Sequence, residues 1–362
     1  MNKPLRVLIV DDSALVRQAL TAVLCQGTSE FEVMASVSDP FAAVRAIRQE
    51  VPDVILLDIE MPKMDGVTFL RKLMRQRPIP TIICSSLAAA RAPITLAALE
   101  AGAVDVIQKP SLSTREFFLE ASDQIRELVR VAARANLRKP ARPRSSVEKP
   151  QLALRHTTDR VVVIGASTGG TEAIATVLAG LDANCPGVAI VQHMPPYFTA
   201  SFAKRLNDTT PLHVREARSG DAILPGQVLL APGDHHMELR RSGAHYHVVL
   251  HQAPPVNRHR PSVDVLFRSA AEHVGANAVA VILTGMGADG ADGMKELRDR
   301  GARTIAQDEE TSIVYGMPYE ALKRGGVEQV LALDDIPNTV LQLGQLPVRN
   351  ASLKPASNAK FT

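Results

Sequence analysis

The sequence predicts an α/β protein made of two doubly wound, mostly parallel domains, and three observations carry that prediction. Apolar runs of strand length alternate with amphipathic helical stretches from residue 5 to about residue 125. After a basic, proline-containing stretch, the alternation restarts at Val161. A chain of 362 residues has room for two cores.

Residues 5–10 are a continuous apolar run, and residues 13–24 then place Leu15, Val16, Ala19, Leu20, Val23 and Leu24 on one helical stripe. A strand at 31–37 precedes a helix at 39–49, which Asp39 caps and Pro40 opens. The series continues with strand 54–57, helix 66–75, strand 81–84, helix 93–101, strand 104–107 and a last helix from about Thr114. Five such units predict a parallel (βα)5 sheet with helices on both faces.

Composition excludes other classes. Apolar residues make up 46% and charged residues 22%, with 22 Gly and 24 Pro, which argues against disorder, collagen and coiled coil. The net charge of +3 invites a polyanionic partner, yet it is unevenly spread. Residues 1–125 sum to −2, residues 126–160 to +7 and residues 161–362 to −2, so the basic character is assigned to a linker over 126–158. No recognition-helix motif accompanies it, so no nucleic-acid partner is expected. Cys25, Cys84 and Cys185 lack metal-ligand spacing and read as free thiols of a reducing compartment. No apolar run reaches the ~18 residues of a membrane span, and the start lacks a signal-peptide pattern, so a cytoplasmic location without membrane insertion is expected.

In a doubly wound five-stranded sheet the ligand crevice lies at the carboxyl ends of the first and third strands. Those ends carry Asp11-Asp12 and Asp58. Converging carboxylates repel unless a cation offsets them, and hard oxygen ligands suit Mg²⁺. Ser85 and Lys109 end the fourth and fifth strands, adding a hydroxyl and an ammonium for a phosphoryl group on a carboxylate. Asp11-Asp12, Asp58, the run Met61-Pro62-Lys63-Met64-Asp65-Gly66, Ser85 and Lys109-Pro110 together resemble a flavodoxin-like response-regulator receiver domain over residues 1–125. That resemblance implies phosphorylation of Asp58 and sensing by Ser85 and Lys109. It also implies Mg²⁺ held by Asp11, Asp12, Asp58 and the backbone of Glu60. Val106 stands where many receivers carry an aromatic switch, so no rotating ring is carried over.

In the second domain, strand 161–164 runs into Gly-Ala-Ser-Thr-Gly-Gly at 165–170 and then a helix burying Ile174, Val177 and Leu178. A nucleophile on a strand-to-helix turn is exposed beside N–H groups able to hold an oxyanion, although Gly-rich turns also bind pyrophosphate. Strand 188–192 ends in His193, and strand 278–283 leads to Asp289. A parallel sheet gathers Ser167, His193 and Asp289 on one edge, as a Ser-His-Asp hydrolase requires. Their bland readings are a helix cap, a core histidine and a turn residue. The order Ser, His, Asp excludes the α/β-hydrolase arrangement, in which the acid precedes the histidine.

Residues 165–170, Gln192-His193-Met194-Pro195, Ala231-Pro232-Gly233-Asp234, His236-Met237, Asn257-Arg258-His259-Arg260-Pro261-Ser262-Val263-Asp264 and 283–290 resemble the CheB family. That resemblance implies a protein-glutamate methylesterase and protein-glutamine glutaminase over residues 159–347, acting on chemoreceptors in chemotaxis adaptation. It implies Ser167, His193 and Asp289 as the triad, an oxyanion met near Thr168 and the backbone of Met286, and a histidine kinase as phosphodonor. Domain order and the linker suggest that the receiver blocks the Ser167 edge until Asp58 is phosphorylated. His235, His236, His245, His247 and His251 lack metal spacing, so no metal is expected in this domain. Arg258 and Arg260 read equally as receptor contacts or internal ion pairs. The polar tail 348–362 is expected to be disordered.

Overall fold

A computed structural model describes residues 3–61, 64–85, 92–109, 115–137 and 160–346, with backbone only over 115–121. Pro62, Lys63, Pro110, residues 138–158 of the expected linker, the end residues Asp159 and Pro347 of the expected second domain and the tail 348–362 lie outside the described residues.

The first domain alternates as its periodicity requires: β1 (Leu5–Val10), α1 (Ala14–Cys25), β2 (Phe31–Val37), α2 (Pro40–Gln49), β3 (Val54–Asp58), α3 (Gly66–Gln76), β4 (Thr81–Ser85), α4 (Ala92–Glu100), β5 (Asp105–Gln108) and α5 (Arg115–Ala132). The five strands are parallel in the order β2-β1-β3-β4-β5. Leu8, Val10, Ile55, Leu57 and Ile83 pack against α2, α3 and α4, while Val7, Ile9, Leu56 and Ile82 pack under α1 and α5. Each such side chain contributes about 1.5–3 kcal/mol by leaving water, which explains uninterrupted apolar strands rather than alternating ones. Ser13, Asp39 and Asp65 cap α1, α2 and α3 by accepting from Val16, Ala42 and Thr68 N–H. Capping therefore falls to Ser13, and Asp12 is left free for the crevice.

One boundary moves. The expected linker start at residue 126 lies inside α5, because Ile125, Leu128, Val129 and Ala132 continue its buried stripe. Arg126 Nε donates to the Val23 carbonyl at 2.7 Å, and Arg130 pairs with Glu30 at 2.6 Å. Part of the charge assigned to the linker thus belongs to a folded face.

The second domain runs β6 (Val161–Ala166), α6 (Gly170–Ala179), β7 (Gly187–Gln192), α7 (Pro196–Thr209), β8 (His213–Glu216), β9 (Gln227–Leu230), β10 (His236–Ser242), β11 (His245–His251), α8 (Val263–His273), β12 (Ala278–Ile282), α9 (Ala291–Asp299), β13 (Arg303–Gln307), α10 (Met317–Lys323), β14 (Gln329–Leu331) and α11 (Ile336–Gly344). Seven strands form a parallel sheet in the order β14-β13-β12-β6-β7-β9-β8, and β10–β11 is a separate antiparallel hairpin. One face packs on α6, α7 and α11; the other packs on α8, α9, α10 and the hairpin.

The domains touch where α4 lies beside α6 and α7. Arg205 of α7 pairs with Glu100 of α4, and the Asn136 N–H and Nδ2 donate to the carbonyls of Ile313 and Glu310.

Candidate active site and phosphoacceptor site

At the carboxyl edge of the receiver sheet, Asp11 and Asp58 are almost fully buried, and the Lys109 ammonium lies 2.8 Å from each. Burial raises the Asp58 carboxyl above its ordinary value against the pull of Lys109, and Asp11 adds to the rise. Gly66 is required beside it: a Cβ there would stand 2.2 Å from the Asp58 carbonyl oxygen. Oxygens of Asp11, Asp12 and Asp58 lie within 4.8 Å of one another. Among the described residues these three carboxylates outnumber the Lys109 ammonium that pairs with them, and such hard oxygen donors fit a divalent cation such as Mg²⁺. The Glu60 N–H donates to Asp58 Oδ1 at 3.2 Å, placing Glu60 on the same rim, and the Ser85 hydroxyl lies 3.4 Å from that of Thr95.

The second site is built on three neighbouring strands, β12, β6 and β7. Ser167 follows β6, and its N–H donates to the Thr284 carbonyl beyond β12 at 3.0 Å. His193 follows β7, and its N–H donates to the Ala166 carbonyl at 3.1 Å, which makes it the cross-strand neighbour of the serine turn. Gln192 Nε2 donates to the carbonyls of Ser167 and His193 at 2.9 and 3.2 Å, tying the two turns together. Gly169 is the residue at the N-cap position of α6, at φ 76°, so Ser167 is not its cap.

His193 Nε2 lies 2.8 Å from Asp289 Oδ2, and its Nδ1 is buried with no hydrogen-bond partner among the described residues. Asp289, 2% exposed, also accepts from Asn257 Nδ2, Ser262 Oγ and Val263 N–H, each at 2.7 Å, and from Asp264 N–H at 3.2 Å. The carboxylate thus sits on the N-terminus of α8, where free N–H groups favour a negative charge. Burial alone would raise its carboxyl, but the His193 contact and the bonds from Asn257 and Ser262 outweigh it and hold it far below the usual range. An anionic Asp289 fixes the imidazole tautomer and leaves Nδ1 as the basic nitrogen.

A Cβ on Gly285 would stand 2.8 Å from the Ser167 Cβ, so the Gly285 backbone packs directly on the serine. Thr168 Oγ1 donates to Asp105 Oδ2 of β5 at 2.5 Å, so a receiver carboxylate stands at the Ser167 turn.

A family model for the response regulator receiver domain matches residues 7–118, and one for CheB methylesterase matches residues 162–340. The chain is 55% identical to the protein-glutamate methylesterase/protein-glutamine glutaminase 5 of Anaeromyxobacter dehalogenans, over 94% of this chain and 97% of that one. The chain belongs to the CheB methylesterase family. Its methylesterase domain is also similar to the solved catalytic domain of Thermotoga maritima CheB methylesterase, with 40% identity and a TM-score of 0.50 over 51% of this chain and 98% of that one. A relative from Bradyrhizobium diazoefficiens, the protein-glutamate methylesterase/protein-glutamine glutaminase of group 3 operon, is 54% identical over 94% of this chain and 96% of its own length. The chain is thus a methylesterase with a response-regulator receiver in front of its catalytic domain.

The motif reading included Asn257, His259 and Ser262 in one run without giving them a role at the candidate site, and it did not single out Asp105. Ser262 and Asn257 hold Asp289, His259 stacks on His193, and Asp105 reaches across from the receiver. An acid inside the apolar run 104–107 was the one available signal for Asp105. Arg260 bonds Asp234 and the carbonyls of Gln252 and Ala253, which resolves it as an internal pair. His236 donates to or accepts from backbone at both ring nitrogens, as a core histidine does.

Proposed function

We propose that the chain hydrolyses γ-glutamyl methyl esters and deamidates selected glutamines on chemoreceptors through Ser167, His193 and Asp289, in the cytoplasm, as the adaptation step of chemotaxis. The observation that carries this reading is His193 held at Nε2 by an anionic Asp289, its Nδ1 buried without a hydrogen-bond partner among the described residues, and its backbone N–H bonded to the Ala166 carbonyl next to Ser167. Nδ1 accepts the Ser167 hydroxyl proton as Oγ attacks the ester carbonyl. The oxyanion is met at Thr168 and the Met286 backbone. The leaving methoxide takes the proton from His193 and departs as methanol, and water then repeats the sequence on the acyl-serine to release glutamate. A glutamine amide follows the same course and releases ammonia. The imidazole must be neutral to accept the Ser167 proton.

The same reading makes Asp58 the phosphoacceptor for a chemotaxis histidine kinase, with Lys109 and Ser85 contacting the phosphoryl group. Asp11, Asp12, Asp58 and the Glu60 backbone would hold Mg²⁺, which when bound offsets charge on the phosphoryl oxygens. In the unphosphorylated chain, the Asp105 carboxylate on the Thr168 hydroxyl supports a receiver that obstructs the site. Phosphorylation weakens that docking and admits the protein substrate.

Methanol release from methylated receptor tests the proposal. Wild type accelerates when an acyl-phosphate donor is added, and Ser167→Ala lowers the rate by at least ~10³-fold with or without donor. Activity retained by Ser167→Ala overturns the mechanism.

A further inference from the structure

The ring of His259 lies against that of His193, with centroids 3.7 Å apart and planes within 8° of parallel. A hydrogen bond to one edge leaves an imidazole free to pivot about its Cβ–Cγ bond, a torsion with broad minima. Asp289 fixes the Nε2 edge of His193 in this way. A second ring lying flat on its face blocks the pivot, because rotation would drive ring atoms into it.

The backbone that delivers His259 is itself unusual. Val256 and His259 exchange N–H to carbonyl bonds of 3.1 and 2.9 Å around Asn257 and Arg258, whose φ values are 52° and 68°. Two consecutive non-glycine residues in the left-handed region are costly, and Arg258 lacks even the tolerance of asparagine. Their arrangement places Asn257 Nδ2 on Asp289 and the His259 ring on His193. One turn thus reaches two members of the candidate triad.

We propose that His259 is a positioning residue: its stacked ring holds the His193 imidazole in the orientation that keeps Nε2 on Asp289 and Nδ1 available to Ser167. This rests on the Ser-His-Asp reading above. His259 stays neutral while it acts. Burial, then the neighbouring His193 and Arg258, lower it to about 4, with Asp289 opposing. When His193 takes the serine proton, the stack is an imidazolium on a neutral ring and never two cations.

The test measures kcat and KM for methylated receptor with the full phosphorylated chain. His259→Ala is expected to lower kcat ~10- to 100-fold, the range a small misplacement of reacting groups costs, with KM within threefold. His259→Phe restores the flat face and is expected within about threefold of wild-type kcat. His259→Leu fills the space without a plane and guards against a fold defect in the alanine variant; its kcat should stay at least ~5-fold below that of Phe. Equal rates for Leu and Phe, or a loss confined to KM, overturn the proposal. If Ser167→Ala and His193→Ala remain active, the triad reading itself fails; if both are inactive while His259→Ala matches wild type, only the positioning role fails.

Discussion

Two groups of the candidate site titrate in opposite chemical senses yet destabilise the fold in the same direction. His259 has its pKa lowered from 6.5 to about 4, burial being the main cause. The unfolded chain therefore binds the proton more readily, so stability is full above about 6.5 and falls as pH drops toward 4. The loss is on the order of 3 kcal/mol at most. Asp289 is held below its ordinary value, so its contribution is present above that value and is lost in stronger acid. Replacing His259 with Phe removes the first contribution and leaves the second. Thermal unfolding of the catalytic domain between pH 6.5 and 4 should show a smaller fall in midpoint for His259→Phe than for wild type; parallel curves would refute the linkage. The convergence of the Ser167, His193 and Asp289 turns on one sheet edge was legible because each turn follows an apolar, parallel strand. His259 was not, because stacking is a tertiary relation between residues 66 positions apart in a run that reads as loop.

At the scale of elements, parallel strands buried on both faces are what made the strands themselves readable, because they appear as continuous apolar runs of strand length. The β10–β11 hairpin and α8 were less legible. His236–Ser242 mixes buried and exposed residues, and the value of α8 to Asp289 lies in backbone N–H groups that no side-chain motif reports. In the receiver, β1, β3 and β5 deliver Asp11, Asp58 and Lys109 to one rim, and the excess negative charge there makes the strand ends a liability until a cation binds. A ligand that binds only the folded form stabilises it by about 2.7 kcal/mol at a hundredfold excess over Kd. Mg²⁺ is therefore expected to raise the receiver's unfolding midpoint relative to chelator, and Asp11→Ala to abolish most of that rise. An equal rise in the variant would place the cation elsewhere.

For the whole molecule, the Asp105–Thr168 bond makes domain docking and carboxylate burial one event. Burial raises the Asp105 carboxyl, while the Thr168 bond partly offsets it, so the docked state holds a proton more readily than a freed receiver whose Asp105 is hydrated. Docking is consequently favoured by acid and weakens as pH rises beyond the ordinary carboxylate range. Two substitutions separate the contributions. Asp105→Asn keeps an acceptor for Thr168 without the cost of burying charge, so it should dock more tightly and lower the unphosphorylated rate. Asp105→Ala removes the acceptor and leaves the Thr168 hydroxyl unsatisfied in the docked state; a loss of ~1 kcal/mol should raise that rate by roughly 5-fold. A chain beginning at residue 160 sets the upper limit, since it carries no receiver. Opposite signs for Asn and Ala, both bounded by the truncated chain, would show that the receiver restrains the hydrolase through this contact. A truncated chain no faster than the unphosphorylated full-length protein would show that docking does not limit access, and the tether, with six basic and two acidic residues over 138–159, would then need another role.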